Sequence, residues 1–295
     1  MIKSNFYSPL RYPGGKNCIF HFVSNFFYEN QLVGCSYAEP YAGGSGLALR
    51  LLFEGYVDSI YINDLDKFIY SFWKSVLNNT DELCDWIEVV NIDIETWKVY
   101  KQIQQNPEQS DYLEIAKATF YLNRTNVSGV IKGGVIGGRE QLGKYKIDAR
   151  FNKADLISRI RKIASLKERI HISNLDGLEF IKMINRKKEE VFIYLDPPYY
   201  QKGSELYMNF YKELDHQKLA KAVKKIDQKW MVSYDNHDFI INLYSDFDTI
   251  RYKLSQAASN RIGDEILVFS DGIQYSEAMN KLKEPAVINI GSDMY

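Results

Sequence analysis

The sequence predicts an α/β fold: a doubly wound sheet of seven strands with an antiparallel terminal hairpin, and a small, mostly helical domain inserted into it. Three observations carry this. Short apolar runs alternate with helix-like stretches through most of the chain. The last two runs are joined by a polar loop with no room for a crossover helix, and about a hundred residues separate the second run from the third.

Taken in order, the apolar runs are 37–39, 59–63, 170–173, 191–195, 230–234, 249–253 and 265–269. The first five are followed by helical patterns around 46–55, 66–78, 177–185, 215–226 and 236–244, as parallel strands with crossover helices require. The stretch between the second and third runs is too long for a connection in a compact sheet. It divides the chain into a main domain of residues 1–75 and 166–283, an insertion of 76–165 and a loosely ordered tail of 284–295. The insertion reads as helical up to Leu122, and then as a Gly-rich basic hairpin.

With 295 residues, 45% hydrophobic and 25% charged, the chain can bury a full core and carry a second small domain. The N-terminus lacks a secretory h-region, and no apolar run approaches a membrane span of about 20 residues, so a cytoplasmic protein without membrane contact is expected. Cys18, Cys35 and Cys84 are widely spaced and odd in number, which argues against a disulfide framework and against a metal site. The formal net charge of −1 hides an asymmetry. Residues 124–169 hold twelve Lys and Arg against four acids, leaving the rest of the chain at about −9. Such a segment is the footprint of a polyanion-binding surface, although solvated helix faces also produce one.

The most informative motif is Asp196-Pro197-Pro198-Tyr199, at the end of the fourth apolar run. Consecutive prolines bias the preceding residues toward extended geometry, so that the carbonyls of Asp196 and Pro197 can project into a cleft as acceptors for a planar amine. Tyr199 adds a ring for stacking. The first run leads into Glu39-Pro40-Tyr41-Ala42-Gly43-Gly44-Ser45-Gly46, either a ligand loop at a helix N-terminus or a tight structural turn. It has neither the spacing of a P-loop nor that of a dinucleotide fingerprint. Asp64 ends the second run, where a carboxylate can hold ribose hydroxyls, and Asp66 reads as a helix cap. Asp176 follows the third run. Three acids, 64, 176 and 196, thus end strands along one crevice.

In these residues the chain resembles the Dam-like, alpha-class DNA adenine-N6 methyltransferases. The pieces come in that family's order: Leu10-Arg11-Tyr12-Pro13-Gly14-Gly15-Lys16, the Gly loop at 39–46, Asn63-Asp64, Phe120-Tyr121-Leu122-Asn123-Arg124 within the insertion, and Asp196-Pro197-Pro198-Tyr199. The resemblance covers about 8–270 and implies a methyltransferase-type sheet and S-adenosylmethionine as cofactor. It implies that Tyr12, Gly15 and Lys16 bind the cofactor and that Glu39, Pro40, Tyr41, Ala42, Gly43, Ser45 and Gly46 form the loop around its methionine moiety. Asp64 would hold its ribose, and Asp176, Gly177 and Leu178 its adenine. The loop departs from the family's more usual Phe-x-Gly-x-Gly-Ser.

Catalysis falls to Asp196, Pro197, Pro198 and Tyr199. Hydrogen bonds from an adenine amine to the Asp196 carboxylate and the Pro197 carbonyl would ready its nitrogen for in-line attack, and Asp196 would take the proton. The base must leave the duplex first. The expected partner is double-stranded DNA; the same chemistry serves an enzyme with or without a companion restriction endonuclease. Arg11, Arg124, Asn126, Ser128, Lys132, Arg139, Lys144 and Lys146 are the candidate DNA contacts. Asn260 and Arg261 read as surface loop, and Asp235 within 234–238 as a helix cap. The alternatives are methylation of RNA adenine or of cytosine N4, disfavoured by an Asp at 196, and a catalytically silent nucleic-acid-binding module.

Overall fold

The computed structural model describes residues 6–12, 14–201, 211–256, 261–289 and 291. Strands β1 (Ser36–Glu39), β2 (Ser59–Asn63), β3 (Ile170–Ser173), β4 (Val191–Leu195), β5 (Trp230–Asp235), β6 (Thr249–Gln256), β7 (Arg261–Phe269) and β8 (Lys283–Asn289) form one sheet in the order β3-β2-β1-β4-β5-β7-β6-β8. The first five are parallel, and β7 enters antiparallel between β5 and β6. The expected order of elements and the terminal hairpin are both present.

The sheet has eight strands, not seven, and the expected loose tail is in part its edge. β8 pairs antiparallel with β6. Pro285 does not interrupt it, because an edge strand tolerates a residue without an N–H. Lys253 pairs with Glu284, and the Asn289 side chain donates to the carbonyls of Ser245 and Phe247.

Every residue of β4 is buried, because helices cover both faces of the sheet. On one side lie α1 (Phe20–Glu29) and α2 (Gly46–Phe53), packed with Tyr37, Phe192 and Tyr194. Helix α1 was not expected from the sequence. Its Phe26 and Phe27 meet Phe192 at 5.4 and 5.2 Å between ring centroids, so a run dense in aromatics makes a helix whose face is fixed by the sheet.

The connection from β2 to β3 holds five helices: α3 (Lys67–Asn78), α4 (Thr80–Val89), α5 (Ile94–Gln105), α6 (Tyr112–Thr125) and α7 (Lys153–Ala164). Their starts are set by side-chain caps. Asp66, Asp93 and Asn152 accept from the backbones of Phe68, Thr96 and Asp155, and Asp111 and Glu114 make a capping box. The expected boundary at 75–76 falls inside α3. Phe72 of that helix stacks on Phe120 of α6 at 5.6 Å and 2°, and the apolar residues of the insertion join the main cluster on this side of the sheet.

No hairpin forms in the Gly-rich segment. Between α6 and α7 there are turns and a lone bridge, Asn126↔Val135. Left-handed residues at Ser128, Gly129, Gly137, Gly138 and Gln141 turn the chain too often for a ladder to extend. The Gln141 amide gathers these turns, donating to the carbonyls of Ile136 and Gly138 and accepting from Ile147 N–H.

On the opposite face of the sheet, α8 (Gly177–Asn185), α9 (Glu213–Val223) and α10 (Asp238–Leu243) cover the alternate residues Val191, Ile193 and Leu195. Among the described residues no helix is long and apolar enough to cross a membrane.

Candidate active site

The carboxyl ends of β1, β2, β3 and β4 meet along one edge, and Asn63 ties the first three together. Its Nδ2 donates to the carbonyls of Pro40 and Leu175, while its Oδ1 accepts from Ser173 Oγ and Leu175 N–H. The next residue, Asp64, accepts from Gly43 N–H and Asp66 N–H, each at 2.9 Å. Burial, and then the neighbouring Asp66, push its carboxyl up to about 7. Trp73 Nε1 donates to the Gly43 carbonyl at 2.9 Å, so the loop is held from both sides.

Glycine is required in this loop for a definite reason. Gly43 has φ 45°, and a Cβ there would lie 2.5 Å from Cε1 of Tyr12; one on Gly44 would lie 2.8 Å from Tyr12 Cβ. Tyr12 therefore lies directly on bare backbone just before α2. Tyr41 covers the start of α8 in the same way. Its Oη would be 2.7 Å from a Cβ on Gly177, and it shares a 2.8 Å hydrogen bond with Tyr211 Oη. The residues just before Tyr211, 202–210, lie outside the described residues.

Two expected cofactor ligands are engaged elsewhere. Glu39 is buried, accepts from Tyr37 Oη at 2.9 Å and from Ala48 N–H, and has its carboxyl pushed up to about 8 by burial. It braces the start of α2 instead of lining the cleft. Lys16 is drawn to the fourth strand end, because a buried carboxylate there is the stronger attraction for an ammonium. Its Nζ lies 3.0 Å from both Asp196 oxygens, 2.6 Å from Tyr199 Oη, 3.1 Å from the Gly14 carbonyl and 3.7 Å from Glu265 Oε2.

Asp196 is thus gripped from two directions. Ser233 Oγ, which accepts from Tyr194 Oη at 2.9 Å, donates to Asp196 Oδ1 at 2.7 Å. Burial raises the Asp196 carboxyl above the usual range; Lys16 opposes the rise and Glu265 adds to it. Tyr199 is only 7% exposed, which leaves little of its ring open to a ligand. Just beyond, Asp235 accepts from Tyr200 N–H and Gln201 N–H at 3.0 and 2.9 Å, fixing the turn. It does not cap α10; His237 does, through Nδ1. Asp176 caps α8 by accepting from Leu178 N–H and remains exposed at the crevice.

The basic candidates divide into two groups. Asn126 is fully buried, donates to the carbonyls of Val130 and Ile131 and accepts from Trp97 Nε1. With its amide satisfied inside the protein, it is a structural residue, not a reader of bases. Arg124 donates to the carbonyls of Arg150 and Pro9, and Arg11 to that of Asn126, so both brace the junction of the N-terminal segment with the insertion. Ser128 is half-buried in a left-handed turn, and Lys146 reaches the Gln141 carbonyl. Lys132, Arg139 and Lys144 are exposed. Arg261 falls in β7, and Asn260 lies outside the described residues. Among the described residues no group of His, Cys, Asp or Glu could hold a metal ion.

Residues 12–257 match the profile of a family described as D12 class N6 adenine-specific DNA methyltransferase, well over half of the chain. The chain belongs to that family. It is therefore an S-adenosylmethionine-dependent enzyme that methylates adenine N6 in DNA. This methyltransferase is 26% identical over 251 residues to the type II methyltransferase M.CviBI of Paramecium bursaria Chlorella virus NC1A, covering 79% of this chain and 86% of that one. Two solved structures also align with it. The methyltransferase candidate yhhF of Escherichia coli is 9% identical, with 88% and 91% of the chains covered and a TM-score of 0.38. An RNA methyltransferase candidate from Pyrococcus horikoshii is 10% identical, with 89% and 87% covered and a TM-score of 0.42.

The sequence did not signal Ser233 and Glu265 as neighbours of Asp196 and Lys16. The one hint was Glu265 itself, an acid that opens the apolar run 265–269.

Proposed function

We propose that this enzyme takes an adenine out of double-stranded DNA at a short recognition sequence and presents its N6 amine to Asp196 and the Pro197 carbonyl. The observation that carries the reading is the Asp196 carboxylate, held by Lys16 and Ser233 at the crevice where the Gly loop and Asp64 also end.

The residues fit S-adenosylmethionine. Bare backbone at Gly43 and Gly44 lies beneath Tyr12, with α2 starting behind it, which suits the methionine end of the cofactor. Asp64 would take the ribose, and Asp176 with the backbone of Gly177 and Leu178 the adenine. When bound, the cofactor supplies an electrophilic methyl on its sulfonium. Asp196 and Pro197 accept hydrogen bonds from the two amino hydrogens, which favours positive charge on the nitrogen as it attacks. Asp196 then takes one proton and leaves a neutral N-methyl amine. Tyr199 offers a ring edge to the base, and Pro198 fixes the turn.

Gly43→Ala is expected to weaken cofactor binding about tenfold or more and to lower the melting temperature, because the new methyl meets the Tyr12 ring in a left-handed backbone. Calorimetric titration with S-adenosylmethionine checks this.

DNA recognition is assigned to the insertion, with Lys132, Arg139 and Lys144 as phosphate contacts. Lys132→Ala and Arg139→Ala should each weaken duplex binding and reduce the slope of log K against log salt by about 1. Arg124→Ala should act on folding, with a loss of about 1–3 kcal/mol from two abandoned carbonyls. Binding titrations across salt concentrations, paired with urea unfolding, separate the two effects. A companion endonuclease and a cytoplasmic location accord with this reading.

The function is tested by methyl transfer from labelled cofactor to sequence-diverse duplex DNA and to RNA, followed by nucleoside analysis. N6-methyladenine at a recurring short site in duplex DNA is expected; modification of RNA alone would overturn the reading.

A further inference from the structure

We infer that Glu265 is a positioning residue for methyl transfer, a second seat that receives Lys16 when the adenine amine takes its place on Asp196. The inference rests on Asp196 being the acceptor of that amine.

Lys16 and Glu265 have side chains only 3% and 2% exposed, and the Asp196 side chain is 20% exposed. One ammonium thus serves two carboxylates. In the resting arrangement it lies 3.0 Å from both oxygens of Asp196, across the acceptor positions that an incoming amine requires. Glu265 Oε2 waits at 3.7 Å, and Tyr252 Oη donates to it at 2.8 Å. A small displacement brings Nζ to a charge-assisted distance of about 2.8 Å from Glu265. Tyr252 holds that carboxylate in place but leaves its charge unneutralised. A buried acid kept only for packing is difficult to account for, since a neutral amide of the same size would accept the same hydrogen bond without the penalty of a buried charge. A charge that can draw Lys16 away does account for it.

The charged and titratable groups around Glu265 come from every neighbouring element. Lys16 and Cys18 belong to the N-terminal turn, Tyr194, Asp196 and Tyr199 to β4 and its turn, and Tyr252 to β6. Asp235 lies opposite Glu265 in β5, with both carboxylate oxygens bound to the Tyr200 and Gln201 N–H groups. Glu265 is one of the groups raising the Asp196 carboxyl, so its charge should be visible in the pH dependence of the rate.

The experiment is single-turnover methyl transfer to duplex DNA across pH for the wild type, Glu265→Gln and Glu265→Asp, with cofactor affinity and melting temperature measured alongside. Glu265→Gln should slow transfer on the order of tenfold or more. It should also move the acid limb of the profile to lower pH, with cofactor affinity nearly unchanged. Glu265→Asp keeps the charge but withdraws the seat; its acid limb should stay with the wild type while its rate falls between the other two. A Gln variant with the wild-type profile, or one whose rate falls only with its melting temperature, overturns the proposal. If Glu265→Gln does not fold, an Asp variant as fast as the wild type overturns it instead. Retained transfer in Asp196→Ala would show that the underlying reading has failed, whatever Glu265 does.

Discussion

Asp196→Ala is expected to slow methyl transfer by about a thousandfold or more while leaving S-adenosylmethionine affinity within a few fold. In the proposed reaction the carboxylate accepts the amine's proton, and among the described residues neither neighbouring buried acid is placed to replace it. Glu39 is closed off by Tyr37 and Ala48, and Glu265 lies behind Lys16. Cofactor affinity should survive because the Gly loop is held by Asp64 and Trp73, not by Asp196. Single-turnover rates beside calorimetric titration check both halves of the statement. A variant that binds cofactor normally and still methylates would remove Asp196 from the chemistry.

Lys16→Met should have a comparable effect for a different reason. It leaves Asp196 and Glu265 buried together without their shared cation, which destabilises a fold by about 3–5 kcal/mol. Lys16 lowers the Asp196 carboxyl against the upward push of burial, so its removal moves that group further up. Transfer requires the ionised carboxylate. The acid limb of the rate therefore moves to higher pH, and activity lost near neutrality should partly return on raising the pH. Stability should change in the opposite sense. Folded Asp196 then holds its proton at pH values where the unfolded chain has released it, so folding takes up a proton and stability falls as pH rises between the two pKa values. Thermal unfolding and single-turnover rates, each measured across pH, should show these opposed trends. A stability that rises with pH over that window would contradict the arrangement.

Much of the fold was legible because the parallel strands are short, β4 among them is buried on both faces, and helices of regular period separate them. The last strand was not, since β8 is an edge strand with a proline and no fully buried residue, stabilised by pairing that only the folded β6 provides. The site was legible where chemistry is local. Asp196-Pro197-Pro198-Tyr199 and the Gly loop each announce a turn and a function within a few residues. Lys16 was found, but its pairing with Asp196 was not, because the two lie 180 residues apart. Asn126 and Arg124 looked like DNA contacts in a basic segment, and only tertiary structure shows that internal carbonyls hold them. Ser233 and Glu265 reach the site by strand register, which spacing along the chain does not reveal.

The most direct measurement is a structure of the enzyme with S-adenosylhomocysteine and a duplex containing its mapped site. The expected result is an adenine out of the helix, with N6 within about 3 Å of the Asp196 carboxylate and the Pro197 carbonyl, and Lys16 moved toward Glu265. An adenine still stacked in the duplex, or an amine bound to some other acceptor with Lys16 unmoved on Asp196, would contradict the account.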